Sequence, residues 1–108
     1  MLVSKRVYSH VGDSDLFRSV KQNNDLKAFE ELYNRYWPTL VNSAYKRLNS
    51  KKKAEDIVQN IFVDVYHRRT TIDLTVSFKA YLNQELKFRV LNEYRSELIR
   101  NKLKGKLF

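Results

Sequence analysis

The sequence predicts an all-α domain, a compact bundle of about four helices, on three observations. The 108 residues hold only two glycines, Gly12 and Gly105, and one proline, Pro38, so the turn punctuation that β-sandwiches and barrels need is missing. Apolar residues recur at three- and four-residue spacing over long stretches, the period of a helix rather than of a strand. Seven Tyr, six Phe and one Trp within a 43% hydrophobic composition suffice for one modest core, which a chain of this length can bury.

The elements follow in order. Residues 1–12 read as a loose lead-in, residues 13–99 as the helical domain, and residues 100–108 as a basic tail or the start of a linker. After Gly12, Asp13 or Ser14 is the expected cap of a short helix through about Gln22, with Leu16, Phe17 and Val20 on its apolar side. Asn23, Asn24 and Asp25 form a turn and N-cap signal. A long helix follows, with Leu26, Phe29, Leu32, Tyr33, Tyr36, Leu40, Ala44 and Leu48 on one face. Pro38 lies inside that pattern and predicts a kink or break near residues 34–37, because proline lacks the N–H that bonds back one turn. A second stripe of Trp37, Val41 and Tyr45 requires cover on another side.

Asn49 and Ser50 end that helix and begin the next, which the apolar pattern places from about Ala54 to His67 or Arg69. Lys51, Lys52 and Lys53 fall at its N-terminus, where cations oppose the helix dipole. Residues 68–77 read as a polar, β-branched loop, and long loops in small domains often carry function. The last helix is expected from Ser77 to about Arg100 on a ladder of Phe78, Leu82, Leu86, Val90, Tyr94 and Leu98.

Charge directs the functional reading. With 21 Lys+Arg against 12 Asp+Glu the net charge is +9, so polyanions are the default partners. Against that background the polar face of the third helix is anomalous: Glu55, Asp56, Gln59, Asn60, Val63, Asp64 and His67 make it acidic and amide-rich, with no lysine four residues after any of its acids. Read alone, such a face is an ordinary wet surface; its composition also suits a protein partner rich in arginine. No cysteine is present, which excludes disulfides and thiolate sites and suits the cytoplasm. His10 and His67 lack a second ligand at helical spacing, and no phosphate-cradling glycine loop occurs. Neither an enzyme nor a cofactor or metal site is expected.

Four ordered blocks, DSDLFRSVKQNND, AFEELYNRYW, AEDIVQNIFVDVY and YLNQELKFRVLNEYR, resemble conserved region 2 of bacterial RNA polymerase sigma factors, specifically the extracytoplasmic-function (ECF) group of the sigma-70 superfamily. The resemblance spans residues 13–95. It implies that the helix of the AEDIVQ block docks on the β′ clamp helices of core RNA polymerase through Glu55, Asp56, Gln59, Asn60 and Val63. It also implies that the loop and the start of the last helix capture flipped non-template bases of the promoter −10 element as the duplex melts. Carried over, the DNA-facing residues are Arg68, Arg69, Thr75, Ser77, Phe78, Lys79, Tyr81, Lys87, Arg89 and Arg95. Flipped bases regain lost stacking from aromatic contact, and cations neutralise phosphate. Phe78 and Tyr81 fit a core role equally well.

The chain departs from the pattern at Tyr81, Phe88 and Asn92, where many relatives carry Trp, Asn and Asp. It also ends without the second, −35-reading domain of complete members, and an excised domain is the favoured expectation. The resemblance implies an anti-sigma protein as a further partner, and an isolated domain could dimerise through its docking face. Two other readings stay open: a helical adaptor without promoter binding, and a nonspecific basic binder of nucleic acid.

Overall fold

The computed structural model describes residues 8–107, and the expectation for residues 1–7 lies outside them. Four helices follow in order: α1 (Asp13–Asn23), α2 (Leu26–Leu48), α3 (Lys51–His67) and α4 (Phe78–Leu107). Among the described residues there is no strand. The expected all-α bundle of four helices is what forms.

Local chemistry explains most boundaries. Asn24 and Asn49 adopt left-handed conformations, φ 50° and 53°, and end α1 and α2 by returning their N–H groups to the Val20 and Tyr45 carbonyls. Asparagine tolerates that region better than most residues with a Cβ. Each is followed directly by the cap of the next helix: the Asp25 carboxylate accepts from the Ala28 amide at 3.1 Å, and the Ser50 hydroxyl from the Lys53 amide at 3.3 Å. Because Ser50 caps, α3 begins at Lys51, three residues before its first apolar position.

Expectations for the α1 cap and the tail are corrected, and of the kink or break expected at Pro38 the break does not occur. The cap of α1 is Gly12, with no side-chain bond. Asp13 stands in the first turn instead, its carboxylate accepting from Arg35 at 2.9 Å and from the Tyr36 hydroxyl. Pro38 does not break α2, which is continuous through it. An internal proline costs about 3 kcal/mol, while burying Leu32 before it and Leu40 after it returns about 1.5–3 kcal/mol each. The basic tail is not frayed: α4 continues through residues 100–107 as helix.

The core lies where all four helices meet. Phe62 of α3 fills it against Phe29 and Tyr33 of α2, with ring centroids 6.2 and 4.8 Å away. Val20, Leu32, Val58, Ile61 and Leu82 are fully buried around it, and Ile72 from the loop closes one end. Tyr8 to Val11 are tied down rather than loose, since Arg35 donates to the Tyr8 and Val11 carbonyls at 2.8 and 2.7 Å while Val11 packs on the core. Burial lowers the pKa of the Arg35 guanidinium, but Glu31 and Asp13 more than offset this and raise it. Tyr36 is pushed up to about 12 by burial and by Asp13.

Asp25 is a second knot. Burial pushes its carboxyl up, yet hydrogen bonds from the Tyr8 hydroxyl, the Ala28 amide and the Ser19 hydroxyl bring it below the ordinary carboxylate value. A carboxyl depressed on folding contributes stability above its unfolded pKa, near ~3.9, and that contribution is lost as pH falls through the folded value. Thermal unfolding followed from neutral pH downward is expected to show an acid-side drop in Tm. Tyr8→Phe with Ser19→Ala should lower Tm at neutral pH and shrink that drop.

Candidate functional site

Burial of one side of α3 fixes what the other side presents. Ala54, Val58, Ile61, Phe62 and Val65 point into the core. Asp56, Gln59, Asn60 and Val63, at offsets of three, four and seven, therefore form one exposed stripe, with Val63 47% exposed and Glu55 half-buried at its edge. The side chains of Asp56, Gln59 and Asn60 make no hydrogen bond or ion pair among the described residues. Their polar groups are open to a partner. Asp64, from the same polar face, turns instead toward Arg68 at 2.9 Å and Arg89 at 3.5 Å.

Beside the stripe runs a shallow apolar groove of ≈ 400 Å³, lined by Leu26, Phe29 and Tyr33 of α2 and by Phe62, Val63 and Tyr66 of α3. Sequence reasoning missed this α2 wall, because periodicity assigns Leu26 to the core whereas it is 59% exposed. The signal available was position: Leu26 directly follows the Asp25 cap, at the helix rim.

The loop and α4 gather the expected nucleic-acid residues only in part. Lys79 and Lys87 are exposed without an ion pair, and Thr75 is exposed on the loop. Arg68 and Arg89 are exposed or half-exposed but already face Asp64, and Arg89 also approaches Glu85 at 3.6 Å. Arg69 lies over the Tyr66 ring, 4.3 Å from its centroid, and donates to the Tyr66 carbonyl at 2.9 Å. Ser77 caps α4 by accepting from the Ala80 amide at 3.0 Å. Arg95 stands roughly 27 Å along α4 from Ser77, at ~1.5 Å per residue, and does not join the cluster.

Phe78 is a correction. It is 1% exposed and packs against Phe17 and Tyr36, with centroids 5.3 and 6.0 Å away, so its ring is unavailable to a base. The first residue of α4 turns inward because Ser77, just before it, occupies the cap. Tyr81 is half-buried, its hydroxyl enclosed without a hydrogen-bond partner. Its pKa is raised by that burial first and by Glu85 next, against the lowering effect of Arg68.

Sequence reasoning also missed α1. Ser14, Arg18, Lys21 and Gln22 line a depression of ≈ 370 Å³ with Asp73 and Leu74 of the loop. The Lys21 ammonium reaches the Ile72 carbonyl at 2.5 Å and fixes the loop against α1. Among the described residues no group of three His, Cys, Asp or Glu side chains gathers as a metal site, and no helix is long and apolar enough to cross a membrane.

A free polar stripe on one helix and a cationic loop-and-helix surface, without convergent acid–base chemistry, define a macromolecule-binding helical domain. The family model for Sigma-70 region 2 matches residues 32–98, and the chain belongs to that family. No curated protein and no solved structure gives a significant match. Sigma-70 region 2 is a non-enzymatic domain of transcription initiation factors that serves promoter recognition and binding to core RNA polymerase.

The placement of Phe78 is testable by stability. Phe78→Ala is expected to cost about 3–5 kcal/mol in urea unfolding, the range for a buried aromatic, whereas Lys79→Ala next to it should stay within about 0.5 kcal/mol.

Proposed function

We propose that this chain is the region 2 domain of an ECF-type sigma factor, docking on the β′ clamp helices of core RNA polymerase and reading the promoter −10 element. One observation carries the docking reading: Asp56, Gln59, Asn60 and Val63 are exposed on one stripe and, in a chain of net charge +9, their polar groups are uncommitted. A carboxylate and two amides with free valences suit arginines on a partner surface, and the apolar groove beside them supplies area for burial. Glu55 flanks the stripe as a rim charge.

The −10 reading rests on the loop and its surroundings. The depression between α1 and the loop is open, with Arg18 and Lys21 beside Phe17 and Leu74 at its wall, and is of a size to accept a flipped base. Lys79 and Lys87 supply phosphate contacts along α4, and affinity resting on them falls with salt. Arg68 and Arg89 join them only after leaving Asp64. Such a domain acts beside the chromosome, in the cytoplasm, and its free stripe is also where an anti-sigma protein would compete.

A second reading, a protein-interaction adaptor without promoter binding, is favoured by one observation: Arg68 and Arg89 are held by Asp64, and Arg69 by Tyr66. Two measurements separate the readings. Core polymerase should retain the wild-type chain in moderate salt, and Asp56→Ala with Gln59→Ala should weaken binding about tenfold or more, as expected for a hydrogen-bonded anchor; equal retention of the double variant sinks the docking assignment. On single-stranded non-template −10 oligonucleotides, Asp64→Asn should bind more tightly with a steeper salt dependence, since it releases two cations. Sequence-indifferent binding would remove the −10 assignment and leave a nonspecific nucleic-acid binder, while polymerase retention without oligonucleotide binding would leave the adaptor.

A further inference from the structure

The distal half of α4 carries an apolar surface that the polymerase and −10 readings do not use. Phe88, Leu91 and Leu98 are 60%, 43% and 61% exposed, and Ile99 and Leu103 flank them. Helical geometry orders these residues. Phe88, Arg95 and Lys102 recur every seven residues, and Leu91 and Leu98 do so three residues later, which is the alternation of a coiled-coil seam. At about 100° per residue, that seam is centred roughly 130° from Leu86, Val90 and Glu97, which face the bundle, and so points to the outside of it. Gln84, Lys87, Phe88 and Leu91 already form a shallow depression of ≈ 270 Å³ on it.

The charges on the seam define its occupant. Arg95 and Lys102 sit within the apolar arc and make no ion pair among the described residues. The acids of this stretch are already committed: Glu97 to Lys53 at 2.5 Å, and Glu93 to Lys53 at 3.6 Å and Arg100 at 3.3 Å. Self-association would set one basic stretch against another, with Arg95 meeting Arg95 in a parallel pair. A membrane surface would require both cations inside the apolar face to be drawn toward headgroups. An acidic partner satisfies them where they stand.

We propose that this outward seam docks an acidic amphipathic helix of a partner protein, its apolar side chains against Leu91 and Leu98 and its carboxylates against Arg95 and Lys102. The site is held ready, because the Tyr94 hydroxyl donates to the Arg47 carbonyl and Lys53 pairs with Glu97, fixing the middle of α4 to the bundle. A charged residue at a seam position sets register and partner choice at some cost in stability.

The test uses the full chain and two fluorescent synthetic helices of roughly three heptads: one with leucines facing the leucines and glutamates facing Arg95 and Lys102, the other with lysine in place of each glutamate. Fluorescence anisotropy at physiological salt is expected to show the acidic helix binding at least about tenfold more tightly than the basic one. Leu91→Ser with Leu98→Ser should abolish that binding, and Arg95→Glu with Lys102→Glu should reverse the preference, with circular dichroism showing the fold intact. Equal binding of both helices, or binding of neither, overturns the proposal. So does a sedimenting dimer that the Leu variants dissolve, or adsorption to vesicles of equal parts phosphatidylglycerol and phosphatidylcholine without peptide binding. Core polymerase retention is indifferent to these substitutions, so either assignment can fail alone.

Discussion

The burial of Phe62 between Phe29 and Tyr33 is the contact on which the rest of the domain depends. It joins the longest-packed pair of helices and sets the rotation of α3 about its own axis. Once Phe62 is set against α2, and Ala54, Val58 and Ile61 with it in the core, the residues half a turn away have no choice but to face outward. The presentation of Gln59 and Asn60 is thus a by-product of core packing, and a functional surface obtained this way is as rigid as the core behind it. The same rotation brings Tyr66 onto Phe29 and lets its hydroxyl donate to Asn24 at 2.6 Å, so the turn between α1 and α2 is locked by the same helix.

Charge is segregated by ion pairing rather than by composition. The chain is strongly basic overall, yet several arginines are neutralised at short range: Arg68 and Arg89 by Asp64 beside the loop, and Arg35 by Glu31 and by Asp13 at the start of α1. The Arg68–Asp64 pair, more than half exposed on the arginine side, is worth only about 0–1 kcal/mol. The effect of this pairing is therefore less on stability than on what the surface offers: Lys79 and Lys87 project as free cations, while the arginines are released only when something competes for them.

Much of this was legible in the residues. Asp25 and Ser50 announce their caps, and the apolar periods of α1, α3 and the first half of α4 match the buried sets closely, because a three-four spacing admits only one buried face. The failures share a cause. The expected cap at Asp13 and the expected break at Pro38 did not form, because a local preference competed with contacts distant in sequence: Arg35 and Tyr36 for the aspartate, helix packing on both sides of the proline. Spacing within one segment carries no record of such partners. The exposed stripe of Asp56, Gln59, Asn60 and Val63 was readable as one polar face since it lies on a single helix, while the apolar groove and the α1-loop depression were not, each being made by two elements that only the fold brings together.

The ties from Arg47 and Lys53 to the middle of α4 also have a mechanical meaning. A 30-residue rod pinned near its midpoint behaves as a lever with its fulcrum at the corner between α2 and α3. A load on the far end is resolved as torque at Ser50 and the first turn of α3, while the opposite arm, rooted in the core by Leu82 and Leu86, resists rotation. Force arriving there reaches α3 at its capped end, more than a turn before the exposed Gln59 stripe.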